Sequence, residues 1–197
     1  ARRSRCSGSL FLNTICDAWT KCPHLWGVAM DRSEINEIIG ESDAFIRSFG
    51  YQLPPFAYWS PKTLQERVQT DSAMIRDHAL GWDITDYGKE NFRDLGLFLF
   101  TVRNGNRHNV EAGKGMLYAE KIMISHENQI SPMHRHNFKT EDIINKGGGT
   151  LVLELFKASP SGEIDQNSAV TVRTDGSERT LPPGAHLELD PGESVTL

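Results

Sequence analysis

From residue 94 to the end of the chain, short apolar or alternating runs are broken at close intervals by strong turn formers, a rhythm that suits strands and little else. The runs are 95–102 (LGLFLFTV), 117–125 (LYAEKIMIS), 130–136, 139–145, 150–157 (TLVLELFK), 169–173 (AVTVR), 185–189 (AHLEL) and 194 onward. Asn104-Gly105, Gly147-Gly148-Gly149, Ser159-Pro160-Ser161-Gly162, Asp175-Gly176 and Asp190-Pro191-Gly192 stand between them. Strands this short at this spacing predict an antiparallel sandwich or barrel.

Residues 30–93 read differently. Asp31 or Ser33 caps a helix with Glu34 in its first turn, and Ile35, Ile38, Ile39, Phe45, Ile46 and Phe49 recur at helical spacing up to Gly50. Segment 53–59 (LPPFAYW) is expected to be extended, because two prolines keep it out of a helix. Ser60-Pro61 restarts a helix through Val68, with serine as the cap and proline as the first residue. A helical or irregular stretch then runs to Leu80 and ends at Gly81. The expected layout is mainly β, with helices and extended chain over 30–93 packed on one barrel over 94–197.

The first 29 residues stand apart. They hold all three cysteines (Cys6, Cys16 and Cys22) and carry four basic residues and one acidic, against 17 basic and 25 acidic from Met30 onward. A secretory signal would need an unbroken apolar stretch, but Leu10-Phe11-Leu12 is interrupted by Asn13 and Thr14. A zinc knuckle from Cys6, Cys16, Cys22 and His24 matches none of the usual paired spacings. The preferred expectation is a leader upstream of a start at Met30, outside the fold. The cysteine-free remainder then suits a reducing cytoplasm. The net charge of -5, without a basic stripe, argues against nucleic acid as a partner. No apolar run approaches the ~20 residues of a membrane-spanning helix.

The richest chemistry lies in 131–141 (SPMHRHNFKTE). On a strand, positions i and i+2 face the same way, so His134 and His136 would present two imidazoles to one side. Imidazole suits Mn, Fe, Co, Ni and Zn, and Glu141 offers a harder oxygen ligand. Glu141 has the wrong parity for one continuous strand and needs a turn to return to the site. On spacing alone, a metal site competes with two surface histidines and a solvated glutamate.

His134-x-His136-x4-Glu141-x6-Gly148 resembles the first conserved motif of the cupin superfamily, whose members hold a metal inside a small double-stranded β-helix, or jelly-roll, barrel. Gly148 falls in the triple-glycine turn, where that pattern wants a positive φ. A second cupin motif, G-x5-P-x-G-x2-H, fits in two registers. Starting at Gly176 it meets Pro182 and Gly184, but then His186 one residue early, with Leu187 at the ligand position. Starting at Gly192 it runs off the chain, so that a fourth ligand, a histidine, is expected beyond Leu197. The second register is preferred, with His186 and Glu188 on one strand face and Leu187 and Leu189 on the other.

Segments 31–39, 53–61, 80–88, 95–105, 118–123, 131–149 and 187–197 are further similar to the D-lyxose ketol-isomerase family of bacterial sugar isomerases. A member of that family is expected to begin at Met30 and to continue past Leu197. The resemblance implies a manganese-dependent aldose-ketose isomerase that interconverts D-lyxose and D-xylulose, and also D-mannose and D-fructose, as a homodimer of carbohydrate metabolism. It implies His134, His136 and Glu141 as metal ligands, with Zn2+, Co2+ and Fe2+ as other metals the site could take, and the metal chelating the sugar oxygens during hydrogen transfer between C1 and C2. It also implies Lys121 and Glu141 as catalytic residues. Trp82, Asp83, Thr85 and Asp86 have two competing uses: contact with the sugar, or a core tryptophan and turn-capping aspartates. Glu154 would face inward if Leu153 and Leu155 pack outward against the helices, and Arg103 and Arg107 flank a turn as solvated charges. The alternatives from other classes are a metal-dependent cupin dioxygenase and a non-catalytic sugar-binding or regulatory cupin.

Overall fold

The structure, a computed structural model, describes residues 6–9 as backbone, and residues 30–105, 109, 111–135 and 140–197. In chain order its elements are β1 (Cys6–Ser9), α1 (Arg32–Ser48), a 3-10 turn (Pro55–Tyr58), α2 (Pro61–Thr70), α3 (Ala73–Asp77), β2 (Gly81–Thr85), β3 (Leu97–Arg103) and β4 (Glu120–Ile124). There follow β5 (Asp142–Ile144), β6 (Leu151–Leu155), β7 (Lys157–Ala158), β8 (Ile164–Asp165), β9 (Val170–Thr174), β10 (Ser177–Leu181), β11 (Ala185–Leu189) and β12 (Ser194–Thr196). The fold is mainly β. Two compact units divide it: a helical unit of 29–90 with 97–124, and a sandwich unit of 1–28, 91–96 and 125–197. Strands β3 and β4, expected in the barrel, thus belong with the helices.

In the helical unit, Asp31 caps α1. Its Oδ1 accepts from the Glu34 N–H at 2.8 Å and from the Ser33 hydroxyl at 2.6 Å, so both expected capping residues act together. Ser60 Oγ accepts from Thr63 N–H at 3.1 Å and Pro61 opens α2, which runs on to Thr70. Residues 55–58 depart from the extended expectation: Ala57 N–H donates to Pro54 O at 2.9 Å and closes a 3-10 turn. Proline supplies the helical φ at the first position of such a turn, where its missing N–H costs nothing.

Strand β2 was not expected, although Trp82 and Ile84 alternate with Asp83 and Thr85. It joins a three-stranded antiparallel sheet of order β2-β3-β4. The register aligns Trp82 with Phe100 and Ile122, and Ile84 with Phe98 and Ile124. Phe98 and Phe100 are wholly buried. Phe56 from the 3-10 turn stacks on Phe100 at 5.6 Å, and each buried phenylalanine contributes roughly 1.5–3 kcal/mol.

The sandwich unit holds two sheets, of order β1-β6-β11 and β10-β9-β12-β5, and the small β7-β8 ribbon. Leu153, Leu155, Leu187 and Leu189 of the first sheet and Val172 and Val195 of the second form one buried core. Period-two alternation produces this directly, with Leu187 and Leu189 at 1% exposure while His186 and Glu188 between them are exposed. Gly148 takes φ 98°, as the triple-glycine turn requires, and Asn145 ties that turn down by donating to Gly149 O at 2.7 Å and Leu189 O at 2.8 Å.

Among the described residues no sheet closes into a barrel; the two sheets keep separate ladders and share only a core. Nor do 130–136, expected as a strand, form one in their described part: Ile130 and Ser131 are bridge residues, Ile130 with Leu95, and Pro132 has no N–H to give a ladder. Of the leader, Cys6–Ser9 runs parallel to Leu151–Glu154, so these four residues carry backbone pairing although they were expected outside the fold. No helix among the described residues is long and apolar enough to cross a membrane.

Candidate active site

In the sandwich unit, β5 pairs antiparallel with β12, and the pairing extends one residue beyond both strands. Glu141 N–H donates to Leu197 O at 3.1 Å, and Leu197 N–H returns a bond to Glu141 O at 2.9 Å. Glu141 therefore sits half-buried at the end of a sheet, its backbone fixed by two hydrogen bonds. That ladder supplies what the parity argument lacked, an independent strand for the carboxylate.

His134 is held otherwise. It lies half-buried on segment 132–135, which forms no strand, with its Nδ1 2.9 Å from Pro132 O. A carbonyl only accepts, so the proton of this contact is on Nδ1, and in the neutral ring Nε2 carries the lone pair. The next residue, Arg135, lays its guanidinium where a side chain on Gly162 would stand, and Gly162 adopts φ 86° in the turn between β7 and β8. Glycine at 162 thus serves both the turn and the close approach of the arginine. His136 lies outside the described residues. Among the described residues, no three His, Cys, Asp or Glu side chains group as a metal-binding cluster.

Lys121, in the helical unit, is exposed on β4 with its Cα opposite Thr101. The register places it and Met123 on the sheet face away from Trp82, Phe98 and Phe100, which alternation alone left open. Beside it, Glu120 accepts from the Tyr51 hydroxyl at 3.0 Å. Burial, and then this bond, push the Tyr51 phenol above its ordinary value and keep it a donor.

Two further expected site residues, Trp82 and Asp86, are tied into the protein itself. Trp82 Nε1 donates to Ala57 O at 3.0 Å, and its ring meets Phe100 edge-on at 4.7 Å, which makes it a core anchor of the helical unit. Asp86 is buried and uses both carboxylate oxygens on backbone: Oδ1 accepts from Gly88 N–H at 2.8 Å and Oδ2 from Glu90 N–H at 3.0 Å. Asp83 is exposed on β2. The condition set for Glu154 is not met, since Leu153 and Leu155 point into the sandwich core and the glutamate, its Cα opposite His186, lies on the other face of the sheet.

Comparison with known sequences bears on what this arrangement is for. The sequence model of a family described as D-lyxose isomerase matches residues 30–197. The D-lyxose/D-mannose isomerase of Serratia proteamaculans is 43% identical over 168 residues, which cover 85% of this chain and 72% of the relative. The D-lyxose/D-mannose isomerase of Escherichia coli O157:H7 is 44% identical over 168 residues, covering 85% and 73%. The chain belongs to the D-lyxose isomerase family of sugar isomerases.

Proposed function

We propose that the protein interconverts D-lyxose and D-xylulose, and D-mannose and D-fructose, at a divalent metal held by His134, His136 and Glu141. The carrying observation is the 43–44% identity, spread over 168 residues, to two relatives named for D-lyxose and D-mannose. In the reaction one hydrogen leaves C2 and one arrives at C1, while a proton passes from O2 to O1. Nothing is oxidised or reduced overall, so no second substrate is required.

The donor set fits a metal such as Mn2+. His134 donates from Nδ1 to Pro132 O, the arrangement that fixes a ligating imidazole's tautomer and presents Nε2. Glu141 contributes an oxygen donor from a backbone position locked to Leu197. When bound, the metal supplies Lewis acidity toward adjacent sugar oxygens. Manganese is the first choice, with zinc, cobalt and iron as alternatives for the same donors. Lys121 acts as the cation that offsets negative charge developing on the sugar oxygens, or carries the proton between them.

The same reading gives the sandwich unit a cupin-type jelly-roll barrel, supported by Gly148 at φ 98° and by one mixed and one antiparallel sheet around one core. It has the enzyme working as a homodimer in the cytoplasm, a compartment that suits the cysteine-free residues 30–197. The test is an assay of metal-stripped protein on D-lyxose, with and without added Mn2+. Restored D-xylulose formation without oxygen consumption is the expected result. Oxygen uptake on adding Fe2+ would replace the reading with a dioxygenase, and sugar binding without turnover would replace it with a non-catalytic cupin.

A further inference from the structure

We infer that Gln129 is a positioning residue for the His134 imidazole, an inference that rests on the metal-site reading above. Gln129 is 1% exposed, although it is neither charged nor part of any recognised motif. Both ends of its amide are used: Nε2 donates to Phe92 O, and Oε1 accepts from His126 N–H at 3.0 Å. One side chain thereby ties the 91–96 segment to the turn at 126–129, which the Gln129 N–H to His126 O bond of 3.1 Å closes. Backbone bonds complete the clamp, from Ile130 N–H to Asp94 O at 2.8 Å and from Gly96 N–H to Ile130 O at 3.1 Å. The His126 ring meets the buried Phe92 edge-on at 5.8 Å. Gly96 leaves the space: a Cβ there would collide with Phe92 O and come within 2.9 Å of Gln129 Nε2.

The position of this clamp gives it a role beyond stability. It ends at Ile130; beyond the bridge residue Ser131, 132–135 have no ladder, so the direction in which the chain leaves Gln129 and Ile130 helps to set the path to His134, together with the seat of Arg135 over Gly162. Pro132 narrows that path further by fixing its own φ and biasing Ser131 to extended backbone. A shift of the clamp is therefore transmitted to the imidazole instead of being absorbed by a neighbouring ladder. A ligand that must lie within a few tenths of an ångström of its place registers such a shift as lost metal affinity.

The test compares Mn2+ binding to the full chain, read from the electron paramagnetic resonance signal of free Mn2+, with thermal unfolding of the metal-free protein. Gln129→Met keeps length and volume but leaves Phe92 O and His126 N–H without the amide. It is expected to raise the Mn2+ Kd about tenfold. Gln129→Asn keeps the amide but shortens its reach by one methylene, and is expected to lose less in the same direction. Val172→Ala, in the sandwich core and in none of the hydrogen bonds of the clamp, serves as the control that lowers the unfolding midpoint and should leave the Kd unchanged. His134→Ala should abolish binding.

Unchanged Mn2+ affinity in Gln129→Met, with binding lost in His134→Ala, would overturn the positioning role while leaving the metal site intact. So would a Val172→Ala loss as large as that of Gln129→Met, since general destabilisation would then explain both. Unchanged binding in His134→Ala would remove the metal-site reading itself and the inference with it. If Gln129→Met does not fold, Gln129→Asn is judged by the same criteria.

Discussion

In the helical unit, Lys121 rides on β4 within a regular antiparallel sheet, with Thr101 opposite its Cα and the Phe98–Ile124 and Phe100–Ile122 pairs fixing the register. In the sandwich unit, His134 sits on a segment without a ladder, entered from a clamp at Gln129 and Ile130 and left beside Arg135, whose guanidinium lies over Gly162. The two residues are thus oriented by different physics. A ladder fixes side-chain direction by a period of two and tolerates a change at any one side chain, because the backbone bonds remain. An anchored segment without a ladder depends on its anchors, and a few buried polar atoms decide where it goes. A period-two argument for His134 and His136 presupposes a strand that the described part of this segment does not form.

That contrast can be broken by substitution. The largest effect is expected for Lys121→Met, where kcat on D-lyxose should fall by about 10²-fold or more while Mn2+ affinity and the unfolding midpoint stay put. Steady-state kinetics and metal titration on the same preparation check this, and a lost midpoint would show that the lysine is structural. Asp86→Ala should work in the opposite manner. It leaves the Gly88 and Glu90 N–H groups without their acceptor and should cost about 1–3 kcal/mol in denaturant unfolding, with KM unchanged. Trp82→Phe removes the bond to Ala57 O but keeps an aromatic ring against Phe100, for a loss of about 1 kcal/mol and again no change in KM. A rise in KM in either variant would return that residue to the sugar.

The smallest effect concerns acid. The Ser33 hydroxyl, and then the Glu34 N–H, bond the ionised Asp31 carboxylate and hold its titration below the ordinary value. A carboxyl lowered in the folded state adds stability that is present above its unfolded value and lost as pH falls through the folded one. Protection of the amides in the first turn of α1, taken relative to their intrinsic exchange at each pH, should therefore fall on acidification through that range, and Asp31→Asn should flatten the dependence.

Features governed by local chemistry were legible in the sequence. Asp31 and Ser60 cap helices, Pro61 opens one, Asp175-Gly176 turns between β9 and β10, and AHLEL alternates its leucines into a core. Where a long-range partner decides, the sequence carried less. Strand β10 (SERTL) has no apolar period and exists because its hairpin partner β9 supplies the ladder. The inward face of Glu154 turned on which side its flanking leucines chose, and the sheet of β9 and β12 chose for them. Gln129 gave no signal at all, because a neutral amide announces itself only when both of its partners, one of them 37 residues away, are in place. The His-x-His pair was legible as chemistry, while its period-two geometry rested on a strand over 130–136 that residues 132–135 do not form.

The account's central claim is a division of labour, with His134 holding a metal and Lys121 serving the sugar. The most direct measurement is Mn2+ titration and D-lyxose turnover on the unmodified protein, His134→Ala and Lys121→Met side by side. The account predicts that His134→Ala loses metal binding and turnover together, while Lys121→Met binds Mn2+ as the unmodified protein does and fails only in turnover. Metal bound normally by His134→Ala, or turnover retained by Lys121→Met, would contradict it.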